Sequence, residues 1–457
     1  MTDELFELDE FQQLAIDRCS DCAAGNRIVA VTGAAGTGKT TIIRQVYDTL
    51  QRAGYGVVLA APTGKAAKRI YEATGIRAST IHRLLEYPHP GERDAETGQA
   101  LTVTMPKRNR KNPLDQAVVI VDEYAMVGIE VHRNLVEALS SGARLLMFGD
   151  VHQLKPIEKH RLIQKESPFQ QAIRRFDGVV LKKVHRFGAG SGIAKSGKLI
   201  LAGSIPRRFD DFLLRITAKP VDSLREFCLS KAEEKVSFGE LANQIISPIK
   251  KSWVGTYQLN RMLQDIYNPM KQKDRATMPR HTWDVKAKLY VSIGVGDKVI
   301  WTENSYDLRS DPDNYIEDSK GRRQYTETPP NLSIMNGETG IVTAIHEDGA
   351  FDIDCGDREV NIPSFVIYDA GKAKGLIQYD PRRAVELAYV ITTHKAQGSE
   401  YNNVVYMLNK SNFMMQCRPN FYTAITRAKD CACVITDQQS LRNSVNREYN
   451  LMEMRKR

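Results

Sequence analysis

The sequence predicts an α/β protein built on parallel sheets flanked by helices, with a small β-hairpin and a small β-barrel inserted. Three observations carry that expectation. Apolar, β-branched runs of strand length alternate with helical periodicity through residues 28–150. Two of those runs, 117–121 and 145–148 (after Arg144), are continuously apolar, the pattern of strands covered on both faces. From about 284 to 380 the rhythm changes to short strands separated by Gly and Asp turns.

Residues 28–32 form the first strand, and the run that follows, Gly33-Ala34-Ala35-Gly36-Thr37-Gly38-Lys39-Thr40, has the spacing of a phosphate-binding loop. Glycines let successive backbone N–H groups turn inward around a phosphate without a Cβ in the way. From Thr41 onward, Ile42, Ile43, Val46 and Leu50 recur at helical spacing, so the loop ends on a helix N-terminus. In this setting Lys39 reaches the β- and γ-phosphates of a nucleotide, and Thr40 offers its hydroxyl to Mg2+. Ahead of the loop, residues 8–15 open a helix. There the Gln12 amide can donate and accept together, as an adenine edge requires, which makes it a candidate for adenine reading.

A second strand, 56–61, ends in Pro62-Thr63-Gly64-Lys65-Ala66-Ala67-Lys68. Thr63, Lys65 and Lys68 are candidates for phosphate contact, against the alternative of an N-capped, solvated helix start. Ser79-Thr80 is another cap-like pair, followed by His82. Residues 87–112 are rich in Pro, Gly and charge, and their alternating patch 100–105 predicts a protruding hairpin. The strand 117–121 ends in Asp122-Glu123, and carboxylates there are costly unless they hold something charged. Downstream of a phosphate loop they suit Mg2+ and its water shell (Asp122) and the attacking water (Glu123). The strand 144–148 exits into Asp150-Val151-His152-Gln153, where the Gln153 amide is suited to sensing a terminal phosphate.

In this order the motifs resemble those of the superfamily 1 helicases, in the RecD/Dda-like (type B) branch. GAAGTGKTT, APTGKAAKRI, ASTIHRLL, VIVDEYAMV, FGDVHQLKPI, LKKVHRF, VITTHKAQGSE and FYTAITRAK are similar to motifs I, Ia, Ib, II, III, IV, V and VI. Tyr124-Ala125 stands where the branch usually has Ala-Ser, and Lys155-Pro156 where it has Pro-Pro. The resemblance implies two RecA-like domains, 1–187 and 188–283 with 381–457, and an SH3-like barrel inserted at 284–380 that carries a polar insertion, 306–336. It implies arginine fingers at Arg186 and Arg427, and coupling of the terminal phosphate to the DNA site through Gln153. Thr41, Gly398 and Glu400 join the nucleotide side. Pro62, Thr63, Lys65, Thr80, His82, Thr393, His394 and Lys395 line the nucleic-acid track.

The implied activity is an ATP- and Mg2+-dependent helicase moving 5′→3′ on single-stranded DNA and opening single-strand/duplex junctions in replication, recombination or repair. Two alternatives stand beside it: a nucleotide-gated single-strand-binding subunit of a recombination complex, and an RNA-directed helicase. Partners would be a single-strand-binding protein or replisome and recombination components, with the chain itself a monomer.

Composition agrees with this picture. The 457 residues allow about three domains, and 42% hydrophobic with 26% charged residues is globular usage. A net charge of +9 favours a polyanionic partner. No apolar run approaches the ~20 residues that span a bilayer, so a soluble, cytoplasmic protein is expected. Seven cysteines, with Cys19 and Cys22 on one helix, read as reduced and mostly buried thiols.

Overall fold

The computed structural model describes residues 8–21, 27–88, 105–156, 166–185, 190–269, 291–303, 334–363 and 380–449, and the backbone of short strands at 276–278, 315–317, 323–325, 366–369 and 376–379. The first lobe is a six-stranded, wholly parallel sheet. Its strands are β1 (Ile28–Gly33), β2 (Val57–Ala61), β3 (Ala78–Thr80), β4 (Val118–Val121), β5 (Arg144–Gly149) and β6 (Val179–Leu181). Their spatial order is β3-β2-β4-β5-β1-β6. β4 and β5 are buried along their whole length, as their apolar runs require, and the one charged residue in them, Arg144, donates to the carbonyls of Cys19 and Arg18 at the start of β5. The edge strands β3 and β6 have three residues each, too few for a periodic signal, and the sequence did not predict them as strands.

Helices cover both faces. α1 (Glu10–Ser20), α2 (Lys39–Arg52) and α3 (Gly64–Thr74) bury Ala15, Ile42, Ile43, Val46, Ala66 and Ile70 on one side. Ile129–Ala138 and Pro168–Arg175 bury Leu135, Ala138, Phe169 and Ala172 on the other. Because every strand runs the same way, the loops after β1, β2, β3, β4 and β5 all emerge at one carboxyl edge, which places the sequence motifs together.

The second lobe is a five-stranded parallel sheet. Its strands, in spatial order, are Val390–Thr392, β8 (Asn243–Ser247), Tyr401–Leu408, Ala428–Thr436 and β7 (Phe212–Ile216). Against it packs a five-stranded antiparallel sheet of Lys298–Trp301, Thr339–Ile345, Phe351–Asp354, Glu359–Ile362 and Val385–Leu387. The first four match the expected short strands. The fifth lies beyond the expected boundary at 380, because Val385–Leu387 pairs with Lys298–Trp301 before the chain enters the parallel sheet. Val299, Trp301, Val342 and Phe351 share one apolar cluster with Ile245, Leu259, Val390 and Met407. The buried Asp297 accepts hydrogen bonds from Gln264, Asn268, Gly294 and Tyr389, and Lys298 Nζ donates to the carbonyls of Glu240 and Asn243. The antiparallel sheet is therefore welded to the second lobe rather than hung from it.

One tie makes a measurable contribution. Glu386 bridges Lys250 Nζ (3.0 Å) and Lys395 Nζ (2.8 Å). Burial pushes its carboxyl up, but the two ammonium groups outweigh burial and hold it at about 2, below the ordinary 4.5. A depressed carboxyl stabilises the fold above its unfolded value, and that stabilisation is lost as the pH falls from 4.5 towards 2. Glu386→Gln is expected to cost on the order of 1–2 kcal/mol at neutral pH, allowing for partial exposure, and little near pH 2. Urea unfolding at the two pH values checks this.

The predicted hairpin patch lies outside the described residues, since 89–104 are not among them; residues 105–112 close a tight turn through Asn109 and Asn112. Most of the predicted insertion at 306–336 also lies outside them. Among the described residues, no helix is long and apolar enough to cross a membrane.

Candidate functional site

The phosphate loop joins β1 to α2, and Gly36 and Gly38 take positive φ of 84° and 80°. Only glycine fits at Gly38: its conformation is left-handed, and a Cβ there would lie 2.5 Å from Gln12 Nε2. Lys39 Nζ donates to the carbonyls of Gly33 (2.7 Å) and Ala34 (3.0 Å), so the ammonium lies across the mouth of its own loop. Ala35, Thr40 and Thr41 are half-buried around it, and Thr37 bonds Ala34 O at 2.9 Å.

Gln12 is placed differently from the adenine reader expected of it. Its Oε1 accepts from Asp9 N (3.1 Å) as half of a capping box, and its Nε2 donates to Thr37 O (3.2 Å). Both ends of the fully buried amide are engaged, so Gln12 braces the loop. A second brace comes from motif IV. His185 N donates to Gly36 O (2.7 Å), while its ring bonds Asp9 at 3.0 Å. Nothing in the sequence points to this link, because it depends on β6 closing the sheet beside β1.

At the end of β4, Asp122 and Glu123 are each only 8% exposed. Burial and the Glu123 carboxylate push Asp122 up to about 6, with Lys39 pulling the other way. Asp122 Oδ1 accepts from Glu123 N at 2.8 Å. Glu123 stands at φ 51°, a left-handed conformation that costs a non-glycine residue about 1–2 kcal/mol. Its Oε2 is buried with no hydrogen-bond partner. Backbone strain together with an unsatisfied buried carboxylate oxygen marks a group held ready for something that arrives.

After β5, the loop 150–156 lies on the second lobe. Asp150 Oδ2 accepts from Tyr422 OH (2.8 Å), and Leu154 N donates to Thr423 Oγ1 (2.9 Å). Leu154 O accepts from Gln397 Nε2 (2.9 Å). Between these anchors the buried Gln153 leaves its Oε1 without a partner. Thus motif III is stitched to motifs V and VI around an orphaned acceptor. Tyr422, Thr423 and Gln397 were not singled out from the sequence, although all three lie inside quoted motifs.

Arg427 follows Arg418–Ile425 and is buried at the same seam. Its guanidinium donates to Thr423 O (3.1 Å), Ser399 O (3.3 Å) and Thr426 Oγ1 (3.3 Å). Those partners belong to the second lobe, so the guanidinium is held by its own lobe at the seam. The other expected finger, Arg186, lies outside the described residues. Gly398 (φ 72°) passes close to Ala66 and Thr63 of the first lobe. Glu400 forms an ion pair with Arg69 of α3 and lies 3.9 Å from Lys429, which makes it a tie between lobes.

The residues expected along a nucleic-acid track fall on adjoining carboxyl edges. Pro62 and Thr63 follow β2, Thr63 capping α3 through Ala66 N (3.2 Å). Thr80 ends β3 and caps the next helix through Arg83 N (3.2 Å), with His82 exposed beside it. Lys65 lies over the ring of Tyr401 at 5.6 Å. Thr393, fully buried, has a hydroxyl without a partner, and His394 is half-buried next to it. Lys395 shares the Glu386 carboxylate with Lys250 and does not stand as a free cation. Lys68 is likewise taken up by Glu338 (3.3 Å) and Asp357 (2.6 Å) of the antiparallel sheet.

With this geometry in place, the likeness to known proteins is informative. Residues 12–159 match the model of the AAA domain, and 387–435 that of the UvrD-like helicase C-terminal domain. The chain is 30% identical over 410 residues to the ATP-dependent RecD2 DNA helicase of Deinococcus radiodurans, covering 90% of this chain but 47% of that relative, about half its length. It is 27% identical to the RecBCD enzyme subunit RecD of Mycolicibacterium smegmatis, covering 93% and 71% of the two chains. The fold is shared with Bacteroides Pif1 bound to ssDNA, with a TM-score of 0.53 at 17% identity over 95% of this chain and 94% of that one. The shared motif order, the two matched domain models and the two-sheet architecture converge: the chain is similar in sequence to RecD-type superfamily 1 helicases and shares the fold of Bacteroides Pif1.

Proposed function

We propose that the chain is an ATP-driven motor that moves along single-stranded DNA and opens duplex at single-strand/double-strand junctions. The observation that carries the reading is the seam. The loop holding Gln153, next to the phosphate loop, is hydrogen-bonded to the elements that carry Thr393 and Arg427. A change in the terminal phosphate is then a change in how the lobes sit together, and hence in their grip on a strand.

The chemistry follows from the chain's own groups. Backbone N–H groups of 34–39 cradle the phosphates, and Lys39 exchanges its loop carbonyls for phosphate oxygens. Thr40 and Asp122 fit Mg2+, since Asp122 is a buried carboxyl with Lys39 nearby as its counter-charge. When bound, Mg2+ neutralises charge on the phosphoryl oxygens. Glu123 takes a proton from water as the water oxygen bonds the terminal phosphorus and the bond to the bridging oxygen breaks, leaving ADP and phosphate. Gln153 Oε1 accepts a hydrogen bond from that water and positions it, while the amide NH2 is the end able to donate to the phosphate. Arg427 and Arg186 supply planar charge from the second lobe, Arg427 by releasing the carbonyls it now holds.

The units of the motor would be 1–187, 188–283 with 381–457, and an SH3-like insertion at 284–380 whose last strand is borrowed from 385–387. Movement 5′→3′, a monomeric cytoplasmic protein and service in replication, recombination or repair complete the proposal. Supporting the track are the Bacteroides Pif1 crystal with its bound single strand and, for a recombination setting, the RecD subunit of RecBCD.

Strand displacement with DNA and RNA tails of both polarities tests it. A 5′-tailed DNA duplex should be opened with ATP, and failure on every tail would overturn the proposal. The seam itself predicts that Tyr422→Phe, which removes one hydrogen bond to Asp150, lowers stimulation of ATP turnover by oligo(dT) about fivefold. Turnover without DNA should stay within about twofold. Turnover rates with and without the oligonucleotide decide this.

A further inference from the structure

We propose that Trp253 is a stacking platform for a base of the single strand, set at the carboxyl edge of the second sheet. The inference rests on the single-strand reading above and extends it with a base contact outside the helicase motifs. The loop 248–255 leaves β8 beside motif V: Ser247 pairs with Thr392 in parallel register, so Pro248 and Thr393 exit the sheet side by side. Lys250 and Lys395 then meet on Glu386, two ammonium groups on one carboxylate, which leaves the shared corner positive. Lys251 lies exposed on the same loop.

The loop is rigid. Ser247 Oγ donates to Val254 O (2.8 Å), Gly255 N to Ser252 O (2.9 Å) and Thr256 N to Ile249 O (3.1 Å). Ser252 Oγ also meets Ser411 Oγ at 3.3 Å, which joins this loop to the segment after Tyr401–Leu408. Val254 is fully buried and anchors the turn, while Trp253 beside it is 54% exposed. Phe413, on the segment that Ser411 joins, is 43% exposed. The other tryptophan among the described residues, Trp301, is 2% exposed in the core.

An indole held in water at the tip of a rigid, basic loop adds little to folding, but it matches what a nucleic acid strand offers. Lysines meet phosphates, and a flat aromatic face meets a base. Thr393, with its unpartnered buried hydroxyl, stands on the same sheet edge for a phosphate contact. Stacking accepts any base, so the platform would grip the strand without reading its sequence, as a translocating chain requires.

The test uses the full chain, its intrinsic fluorescence and oligo(dT) of about 15 nucleotides. Binding should quench tryptophan emission in the wild type, and the quench should be much reduced in Trp253→Phe. Affinity should fall by about 5- to 150-fold in Trp253→Ala and be largely restored in Trp253→Phe. An abasic strand of the same length should bind wild type and Trp253→Ala alike, an outcome that a merely structural tryptophan would not produce. Trp253→Ala binding oligo(dT) within twofold of wild type would overturn this inference alone. Absence of any binding by the wild type would overturn the single-strand reading and the inference with it.

Discussion

Lys39→Ala should lower ATP turnover at saturating oligo(dT) by at least about 10²-fold, the scale of losing one preorganised charge on a developing oxyanion. The lysine does two things that no neighbour replaces. Its ammonium lies over the loop mouth, on the carbonyls of Gly33 and Ala34, where the phosphates enter. It is also the cation that most opposes the upward push on Asp122, a carboxyl already at about 6. Without Lys39, Asp122 and Glu123 face each other with weaker compensation, Asp122 rises further, and more of it is protonated near neutral pH. The variant should therefore lose more activity at pH 6.5 than at pH 8. Retention of more than a tenth of wild-type turnover at both pH values would contradict the assignment.

Glu123→Gln separates binding from chemistry. The amide keeps the shape and the φ of 51° but cannot take a proton. Turnover should fall by about 10²–10⁴-fold. ATP affinity should hold or rise, because the substitution removes one of the two causes that raise Asp122, the other being burial. Single-turnover hydrolysis with filter binding of ATP reads both quantities. Turnover within tenfold of wild type would remove Glu123 from the role of base.

The parts legible in the sequence were those with strong local signals. The phosphate loop, the buried strands β4 and β5 and their acidic and amide exits stood out because covered strands are apolar throughout and a charged residue at their end needs a reason. The short strands at 298–301, 339–345, 351–354 and 359–362 were legible from their turns. What escaped depends on distant pairing. β3 and β6 are held by neighbours rather than by their own pattern, and Val385–Leu387 looks like a lead-in to motif V until Lys298–Trp301 is beside it. The seam is the same kind of fact. That Tyr422 meets Asp150, or that Gln397 meets Leu154, follows only from how two lobes close, across a chain separation of 272 and 243 residues. Ion pairs misled in a consistent way. Lys68, Lys395 and Glu400 carry the charges expected for phosphate or nucleotide, yet Glu338, Asp357, Glu386 and Arg69 hold them in this conformation.

In the proposed motor, the state of the terminal phosphate is transmitted through the loop 150–156 to the hold on a single strand. Affinity for a labelled oligo(dT), measured with Mg2+ and either ADP or a non-hydrolysable ATP analogue, tests it most directly. The two affinities should differ by about 5- to 150-fold, the range of a coupling carried by a few seam contacts, and Tyr422→Phe should narrow the gap. Equal affinities in the two nucleotide states, within twofold, would contradict it.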